Sequence, residues 1–573
     1  MIKKILFLLN KNETRFLLII SVFTLLGIFL EMLSFAIIIP VFNVIFLNNF
    51  IESSFFQIFF SYKDFIITKN SKIIFLILLI SVFFIKNIYL IILNYYNKKF
   101  FYFLNIRVSS DLFSLYLRQN YFFFLNSKSD NLLRKSTNDI SGFQTFLSSF
   151  QALITELIFI FFLSLLLFSA NYFIFLFCAF IFTLISIIYI KIIRKRIKLW
   201  GTSYQANFGY LQNLISEGVK GIKDIFVYSL EKFFSKKFYY FTKTAQISFF
   251  KVDFINNVQR FWMEILAVFS MTTPIIILLL FDVNINELIP IFVLFSVSIF
   301  RIVPSFNRII QNYQNIKFFT PSVDLIYKEF SELSVNNNTL ISNNFEFKDT
   351  IEFKSVSLSY NKDSLPILTD VNIKILKGES VLILGDNGSG KSTLLNILSG
   401  LLEPSSGKIL IDNEHDIYKN KKVWLNKLSY VQQNIFLINT TIKKNILLEQ
   451  ELLSDNSKFM NICNLLSLDK VFSNLPQKLD TVVGNDGLYL SGGQKQLISI
   501  ARALYKNSEI VVFDEANSAL DKDYTNILKN LIISLKGRKT LIMVTHELSF
   551  LKDSFDKIYR IQSRNLILEK DKS

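Results

Sequence analysis

The sequence is poor in the residues that mark several common classes of protein. Its 573 residues include 2 cysteines, 8 prolines and 17 glycines. This excludes a disulfide-rich scaffold, a collagen-like fibre and a disordered chain rich in Pro and Gly. Charged residues make up 19%, below the roughly 25% of an average soluble chain, whereas hydrophobic residues make up 51% and aromatic residues 16%. The composition therefore predicts that a large part of the chain lies in a membrane.

Positive charge is concentrated in one half of the chain. Residues 1–330 contain 32 Lys and Arg against 17 Asp and Glu, and the remaining residues contain 30 against 28. In the first half the cations lie between long apolar runs rather than on one folded surface, which favours a membrane protein and argues against a nucleic-acid partner. Cys178 lies in such an apolar run and Cys463 in the polar half, so we expect no disulfide and a reducing compartment for the second half.

Six apolar segments of about 20 residues, the length that a hydrocarbon core of ~30 Å requires, occur in the first half. They are residues 16–40, 73–94, 146–168, 172–192, 261–281 and 288–310. Lys and Arg are frequent at the N terminus and in the two long connections, after the second and the fourth segments, so the positive-inside rule places these parts in the cytoplasm. We therefore predict an α-helical bundle of six membrane spans over residues 1–325, followed by a linker at residues 326–344.

The two long connections contain apolar patches at residues 121–125 and 221–228. Loops of this length usually contain structure of their own, so we expect extensions of the membrane helices into the cytoplasm. Apolar side chains far from membrane and core need a partner surface, which favours a pair of docking helices over simple loop packing. The first outer loop contains an aromatic, amphipathic stretch at residues 50–60; a helix in the membrane interface and an aromatic anchor both remain open.

Residues 345–573 alternate short β-rich runs with helical stretches, which predicts an α/β domain. A buried strand at residues 380–384 is followed by Gly385-Asp-Asn-Gly-Ser-Gly-Lys391-Ser392 and a helix, the strand–loop–helix context of a Walker A motif in a P-loop NTPase. Lys391 is predicted to reach the β- and γ-phosphates and the Ser392 hydroxyl to ligate Mg²⁺, while backbone amides and the helix N terminus stabilise the phosphate charge. The predicted ATP-binding residues of this loop are Gly385, Asn387, Gly388, Ser389, Gly390, Lys391, Ser392 and Thr393.

Two further motifs follow in the same half. A strand at residues 510–513 ends in Asp514 and Glu515; Asp514 suits the Walker B role on Mg²⁺, and Glu515 is placed to orient or deprotonate the attacking water. Leu490-Ser-Gly-Gly-Gln494 directly precedes a helical stretch, so its residues can bind a phosphate at a helix N terminus. The predicted phosphate-binding residues of this motif are Ser491, Gly492, Gly493 and Gln494.

With these motifs, the sequence resembles an ABC transporter of the exporter type over essentially its whole length. The resemblance implies that Tyr360 stacks on adenine, that Gln433 is the Q-loop glutamine and a metal ligand, that Asp521 belongs to the D-loop, and that His546 is the switch histidine. Glu515, His546 and Gln433 are then the catalytic residues, and Ser392, Gln433 and Asp514 the metal ligands. Gln432 stands where exporters usually carry Pro, so the catalytic glutamine could be misassigned by one position.

The same resemblance implies an assembly. In such transporters the LSGGQ motif of one cassette completes the ATP site of another, and a working unit needs two cassettes and twelve spans. This chain has one cassette and six predicted spans, so a homodimer is expected, with ATP and Mg²⁺ as cofactors. The expected location is the bacterial inner (cytoplasmic) membrane, with the nucleotide-binding domain at residues 345–573 in the cytoplasm.

Cations inside the predicted spans indicate the transported substrate. A cation at the membrane centre costs about 2.5–3.5 kcal/mol on insertion scales, so it usually faces a cavity or a partner. Glu31 in the first span and Glu156 in the third are available as partners, so internal pairing is the alternative to a cavity. Arg260 has Glu264 four residues on, whereas Lys86 and Arg301 have no acid at helical spacing and are better cavity candidates. A cavity lined by Lys and Arg suits an anionic headgroup such as a pyrophosphate.

The placement of Lys86, Arg260 and Arg301 resembles the PglK-type flippases of bacterial lipid-linked oligosaccharides, in which arginines at these positions are linked to the lipid pyrophosphate. The resemblance implies an ATP-driven flippase of such a lipid or of another anionic pyrophosphate lipid. Exporters of another lipid (such as lipid A), of a drug or of a peptide remain open. A regulatory or channel-like ABC protein is a further alternative, which degenerate catalytic residues would favour; Glu515 and His546 are both intact.

Overall fold

The computed structural model describes residues 1–38, 41, 69–127, 129–170, 172–280, 285–335, 345–360, 365–448, 456–517, 522–546 and 554–571. The chain divides into two compact units, one of residues 1–119 and 126–337 and one of residues 120–125 and 338–573. The aromatic stretch at residues 50–60 and the D-loop residue Asp521 lie outside the described residues.

The N-terminal part of the chain is helical. Its helices are α1 Ile2–Leu8, α2 Lys11–Ala36, α3 Lys69–Leu117, α4 Tyr121–Asn126, α5 Ser129–Arg134, α6 Ile140–Ala170, α7 Tyr172–Lys220, α8 Ile222–Val227, α9 Glu231–Leu280 and α10 Ile285–Val335. Both apolar patches that the sequence analysis interpreted as docking helices are helical, as α4 and α8. Residues 120–125, which include most of α4, belong to the second unit.

Three helices in the described part of the chain are long and apolar enough to cross a membrane: Lys11–Ala36, Lys72–Leu117 and Asn131–Ser169. Only 6% of the most apolar window of the second helix is buried inside the protein, so its apolar side chains face outward, as contact with lipid requires. The other three predicted spans lie in α7, α9 and α10, where many side chains are outside the described residues. The count of six spans therefore stays a prediction.

The long helices continue beyond any bilayer. Helix α3 has 49 residues, which corresponds to roughly 75 Å at 1.5 Å per residue, more than twice a hydrocarbon core. Ion pairs tie its polar end to other helices: Arg107 Nε donates to Glu13 Oε1 of α2 at 2.7 Å, and Arg107 Nη2 donates to the Leu8 carbonyl at 2.9 Å. The polar end of α3 is thus held by contacts of a charged side chain, which are expected outside the hydrocarbon core, where water is present.

The end of the helical unit differs from the sequence-based boundary. The sequence analysis ended the membrane domain at residue 325 and began the linker at 326, whereas α10 continues to Val335. Val323, Ile326 and Leu333 are all buried, and their spacing of three and seven residues places them on one face of the helix. The apolar pattern therefore keeps residues 326–335 helical and packed.

The second unit contains two sheets and the helices that cover them. Its strands are β1 Thr350–Leu358, β2 Leu368–Leu376, β3 Ser380–Gly385, β4 Ser406–Ile411, β5 His415–Asp416, β6 Leu428–Val431, β7 Ile510–Asp514, β8 Thr540–Thr545, β9 Lys557–Gln562 and β10 Asn565–Asp571. Its helices are α11 Lys391–Leu398, α12 Lys421–Lys427, α13 Ile442–Leu447, α14 Asn456–Leu465, α15 Leu468–Val471, α16 Gly492–Lys506 and α17 Lys522–Leu535.

The larger sheet brings the predicted motifs together. Its strand order is β10-β9-β3-β8-β7-β6, and all neighbours are parallel except β10. The neighbouring strands β3, β8, β7 and β6 are followed directly by the Walker A loop, His546, Glu515 and the Q-loop. Because the carboxyl ends of parallel strands lie at one edge of a sheet, these four segments share that edge, where ligands of open α/β sheets bind.

Candidate functional site

The Walker A loop joins β3 to α11 in a backbone conformation that requires glycine. Gly388 and Gly390 have φ angles of +81° and +101°, in the left-handed region that favours glycine. A Cβ atom on Gly385 would lie 2.5 Å from Ser389 Oγ. The side chain of Ser389 therefore packs against the first residue of the loop, where only glycine leaves room for it. Ser389 Oγ is buried and has no hydrogen-bond partner among the described residues. The loop therefore fits a phosphate group, which would accept from this hydroxyl.

The Lys391 ammonium group points back over this loop. It is 5% exposed, and Nζ donates to the carbonyl oxygens of Gly385 at 2.8 Å and Asp386 at 3.0 Å. Nζ also lies 3.6 Å from Glu515 Oε1. The lysine thus links the loop predicted to bind phosphates with the carboxylate predicted to act on water.

Oxygen atoms suited to Mg²⁺ meet at the end of β7. Ser392 Oγ donates to Asp514 Oδ1 at 3.2 Å, and the Tyr430 hydroxyl donates to Asp514 Oδ2 at 2.9 Å. Burial raises the pKa of the Asp514 carboxyl, and both hydrogen bonds act against that rise. Mg²⁺ is usually held by one or two carboxylates together with substrate phosphates. The donor set therefore fits the metal, and Ser392 and Asp514 are the residues that would hold it.

Glu515 lies at the centre of the predicted catalytic residues. Gln433 Nε2 donates to its Oε2 at 2.6 Å, and His546 Nδ1 lies 3.8 Å from its Oε1. Its φ angle is +49°, a conformation that costs a non-glycine residue free energy and that is found mainly where the surroundings enforce it. The structure therefore brings Glu515, Gln433, His546 and Lys391 into one cluster.

The two neighbouring glutamines have different surroundings. Gln433 contacts Glu515, and because its amide nitrogen makes that bond, the amide oxygen is the atom that could ligate a metal. Gln432 lines a separate surface groove with Ile435 and Phe436. The geometry therefore favours Gln433 as the Q-loop glutamine.

The LSGGQ motif forms the N terminus of α16. Ser491 Oγ accepts from the Gln494 backbone amide at 3.2 Å, and Gln494 Oε1 accepts from the Ser491 amide at 3.0 Å, which is a capping box. Ser491 and Gly492 are exposed, whereas Gly493 is buried. Two residues of the motif thus present a helix N terminus at the surface, where the partial positive charge of the helix favours an anion.

The remaining predicted residues are placed as follows. Tyr360 is partly buried and packs against the core that includes β1 and β3. Asn387 is exposed at the tip of the Walker A loop, and Thr393 is in the first turn of α11. Asn517, which stands where such cassettes usually carry Thr, accepts from Thr545 Oγ1 at 3.1 Å and so ties the segment after Glu515 to the residue before His546.

A second cluster of charges lies among the membrane helices. Arg301 of α10 makes a two-fold contact with Glu31 of α2, Nε to Oε1 at 2.7 Å and Nη2 to Oε2 at 3.1 Å. Lys86 of α3 is buried, 3.4 Å from Ser34 Oγ, and its ammonium lies 4.2 Å from the centre of the Phe83 ring. Lys86 also interacts electrostatically with both Glu31 and Arg301, whereas Arg301 forms the ion pair with Glu31. The cluster thus brings together charged groups from three helices.

This arrangement matches the alternative of internal pairing, for which Glu31 and Glu156 are the available acids. Arg301 has no carboxylate at helical spacing along its own helix and is therefore also a candidate to line a cavity. Glu31 pairs with it from another helix, and Arg308 likewise pairs with Glu156 of α6, with 2.5 Å between Arg308 Nε and Glu156 Oε1. The side chain of Arg260 lies outside the described residues.

Sequence reasoning missed Tyr430, whose hydroxyl holds Asp514. A tyrosine in a short strand is usually a packing residue, and nothing in the sequence connects position 430 with position 514. The register of β6 and β7, which pairs Tyr430 with Val512, is what brings the hydroxyl to the carboxylate.

Comparison with known proteins identifies the second unit. Residues 368–518 match the family described as ABC transporter. A putative ABC transporter ATP-binding protein of Mycoplasma genitalium is 28% identical over 368 residues, which are 63% of this chain and 62% of that protein. A putative multidrug export ATP-binding/permease protein of Staphylococcus aureus is 38% identical over 218 residues, 38% of this chain and 37% of that protein. The chain thus spans less than two thirds of the length of these relatives.

A solved structure matches nearly the whole chain. It is a bacterial Atm1-family ABC exporter with ATP bound, with a TM-score of 0.77 and 19% identity, covering 97% of this chain and 95% of the other. The second unit therefore contains a region, residues 368–518, that matches the ABC transporter family, and the chain shares its fold with an exporter that was solved with ATP bound. The chain as a whole has the fold of an ABC exporter, a helical membrane domain followed by an α/β ATPase domain.

Proposed function

We propose that this protein is an ATP-driven exporter of the cytoplasmic membrane that works as a homodimer, with six membrane spans in each copy, and that it moves an anionic lipid. The observation that carries the proposal is the presence, in one chain, of an assembled cluster of ATPase residues around Glu515 and of a buried, positively charged cluster among membrane helices. The two features lie in different units of the same chain, as expected if ATP hydrolysis in the cytoplasm serves transport.

The geometry of the ATPase site supports hydrolysis rather than binding alone. Glu515 is the proposed general base, since its carboxylate is held by Gln433 and lies near both Lys391 and His546. Mg²⁺, held by Ser392 and Asp514, would neutralise charge on the phosphates. The Lys391 ammonium and the amides of the Walker A loop would bind and orient those phosphates, and His546 is placed to contact the terminal one.

Two exposed features support a second copy as the partner. The LSGGQ motif offers a capped helix N terminus at the surface, and a phosphate bound by another copy would match its partial charge. Helix α8 exposes Ile222, Phe226 and Val227, and apolar residues in a predicted cytoplasmic connection need a covering surface.

ATP shared between two copies would favour the closed dimer, and hydrolysis would remove that bridge. This is a population shift of the kind that drives rigid-body gating.

The net charge of the membrane cluster supports an anionic substrate. Among the described side chains of this cluster, Lys86, Arg301 and Arg308 face two carboxylates, Glu31 and Glu156. With all five groups ionised, one positive charge remains. Because an uncompensated charge is costly at membrane depth, a phosphate-bearing headgroup is the ligand that would balance it. Within this class we propose a lipid-linked oligosaccharide, as the PglK-type resemblance implies.

Export of an uncharged hydrophobic compound is the second candidate function. The Staphylococcus aureus relative is named a putative multidrug export protein, and the Glu31–Arg301 pair leaves less free positive charge than the sequence alone predicts. In that case the ion pairs would hold the helices together, and the substrate would contact the apolar walls between them.

Transport in proteoliposomes distinguishes the two candidates. The substrates are a labelled polyprenyl-pyrophosphate glycan and a membrane-permeant fluorescent dye, each with ATP and with Lys391→Ala protein as the inactive control. We expect ATP-dependent movement of the glycan lipid, reduced by Lys86→Ala and Arg301→Ala. Lys236→Ala removes an exposed cation and serves as the matched control. Movement of the dye but not of the glycan lipid, or glycan transport that survives loss of Lys86, Arg260 and Arg301 together, would contradict the anionic-lipid proposal.

A further inference from the structure

The two oxygens of Asp514 have different surroundings. Oδ1 lies 3.2 Å from Ser392 Oγ, the other protein ligand proposed for Mg²⁺, whereas Oδ2 accepts a hydrogen bond from the Tyr430 hydroxyl at 2.9 Å. The carboxylate is buried, with 5% exposure. If Asp514 turned about its side-chain bonds, Oδ1 would leave Ser392 and Oδ2 would lose its donor. The Tyr430 hydrogen bond therefore holds the plane of the carboxylate so that one oxygen stays beside Ser392.

Tyr430 is well suited to hold a carboxylate in one orientation. Its phenolic hydroxyl is a hydrogen-bond donor, and it donates to Asp514 Oδ2 at 2.9 Å. Its strand, β6, pairs with β7, the strand that ends at Asp514. Both ends of the hydrogen bond are thus fixed in one sheet, and a supporting residue on a rigid element positions a ligand better than one on a loop.

We propose that Tyr430 is a positioning residue for the metal ligand Asp514, and that its hydroxyl keeps this carboxylate oriented toward the magnesium site. The inference concerns the ATPase site and is independent of the identity of the transported substrate. Residues that hold metal ligands typically change metal affinity or activity by about 10–100-fold when they are lost. The effect should thus appear in metal affinity itself and not only in the rate of hydrolysis.

The test measures binding of a fluorescent ATP analogue to the full-length protein in nanodiscs, first in EDTA and then with increasing Mg²⁺. We expect Tyr430→Phe to leave binding in EDTA unchanged and to raise the Mg²⁺ concentration for half-maximal enhancement by about 10-fold. Failure to bind nucleotide in EDTA would instead indicate that the ATPase site itself is wrongly assigned, so the two failures are distinguishable.

Tyr418→Phe is the matched control. Tyr418 is also a buried tyrosine of the second unit, and its hydroxyl donates to the carbonyl oxygens of Ile397 and Leu402 at 2.6 and 2.8 Å. Its loss should leave the Mg²⁺ dependence unchanged. An unchanged Mg²⁺ dependence in Tyr430→Phe would overturn the positioning role.

If Tyr430→Phe does not fold, 3-fluorotyrosine can be placed at position 430. It keeps the shape and the hydroxyl but makes the hydroxyl a stronger acid, so it should shift the Mg²⁺ dependence, whereas the same replacement at position 418 should not. A Mg²⁺ dependence equal to that of the unmodified protein would again overturn the proposal.

Discussion

The side-chain amide of Gln433 donates a hydrogen bond to Oε2 of Glu515 at 2.6 Å. This contact joins the segment after β6 to the segment after β7, two parallel strands that are neighbours in the larger sheet. The glutamine thereby restrains the carboxylate proposed to act on water. Its neighbour Gln432 lines a different surface, so adjacent and chemically identical residues have different expected roles.

The first prediction uses this pair of glutamines. Gln433→Ala should lower kcat for ATP hydrolysis by about 10-fold, because Glu515 loses the group that orients it. Gln432→Ala should leave kcat close to that of the unmodified protein. The measurement is phosphate release by protein in nanodiscs. Equal losses in the two variants, or a larger loss in Gln432→Ala, would show that the glutamine is misassigned by one position.

The second prediction concerns Glu515 itself. Glu515→Gln should lower hydrolysis by at least about 100-fold, since general bases contribute 10²–10⁴-fold, while ATP binding remains. Lys391→Ala should instead lose nucleotide binding, because Lys391 is the proposed phosphate ligand. Retention of radiolabelled ATP after rapid gel filtration separates the two effects. Full turnover by Glu515→Gln would refute the assigned base.

The third prediction concerns the ion pair between Glu31 and Arg301. Glu31→Gln leaves the guanidinium without its bidentate partner, and the loss of one member of a buried pair costs roughly 3 kcal/mol. The double variant Glu31→Gln with Arg301→Gln should recover part of that loss, because no uncompensated charge remains. Thermal unfolding in nanodiscs provides the measurement, with the exposed Glu217→Gln as control. A double variant less stable than both single variants would contradict the pairing.

The fourth prediction is a pH dependence at Asp412. Burial acts to raise the pKa of this carboxyl, but the backbone amides of Lys348, Thr350 and Asp349 outweigh it, so the pKa is lowered overall. A carboxyl whose folded-state pKa is lowered contributes stability above its unfolded value of about 3.9, and the contribution is lost as the pH falls through the folded value.

Asp412→Asn should therefore unfold at a lower temperature than the unmodified protein near pH 7, and the difference should shrink below about pH 4. Asp349→Asn changes an exposed neighbouring carboxyl and should show little difference at either pH. The measurement is the melting temperature of the full chain from pH 3 to pH 8. A difference for Asp412→Asn that is constant with pH would contradict the charged role.

The features that could be predicted from the sequence are those determined by neighbouring residues. The Walker A loop is a contiguous strand, glycine loop and helix, and the positive φ angles of Gly388 and Gly390 explain why those glycines mark it. Asp514 and Glu515 follow their strand directly. The meeting of these segments could be predicted as well, since consecutive α/β units place the carboxyl ends of parallel strands at one edge.

The features that could not be predicted depend on packing between distant elements. Glu31 and Arg301 are 270 residues apart. Helix α2 is apolar over almost its whole length, so no periodicity reveals which face meets α10. The Tyr430–Asp514 contact depends likewise on strand register. Helix α10 continues through residues 326–335, which the sequence analysis assigned to the linker. A change from apolar to polar composition along the sequence does not indicate where a helix ends.

Complementation between two defective variants tests the central claim, that two copies of the chain jointly form each ATP site. Lys391→Ala removes the phosphate lysine from one side of the site. Gly492→Asp places an acid at the exposed N terminus of α16, where it suits the helix but repels a nucleotide phosphate. Each variant alone should trap no ATP, because both sites of its homodimer are defective. A mixed dimer should contain one site with both defects and one intact site.

The two variants carry different affinity tags, are produced in the same cells, and are purified as mixed dimers in nanodiscs. The measurement is vanadate-dependent trapping of labelled nucleotide by these mixed dimers. The account predicts that the mixed dimer traps nucleotide although neither homodimer does. Mixed dimers that trap no more nucleotide than either homodimer, or an unmodified chain that hydrolyses ATP at full rate as a monomer, would contradict it.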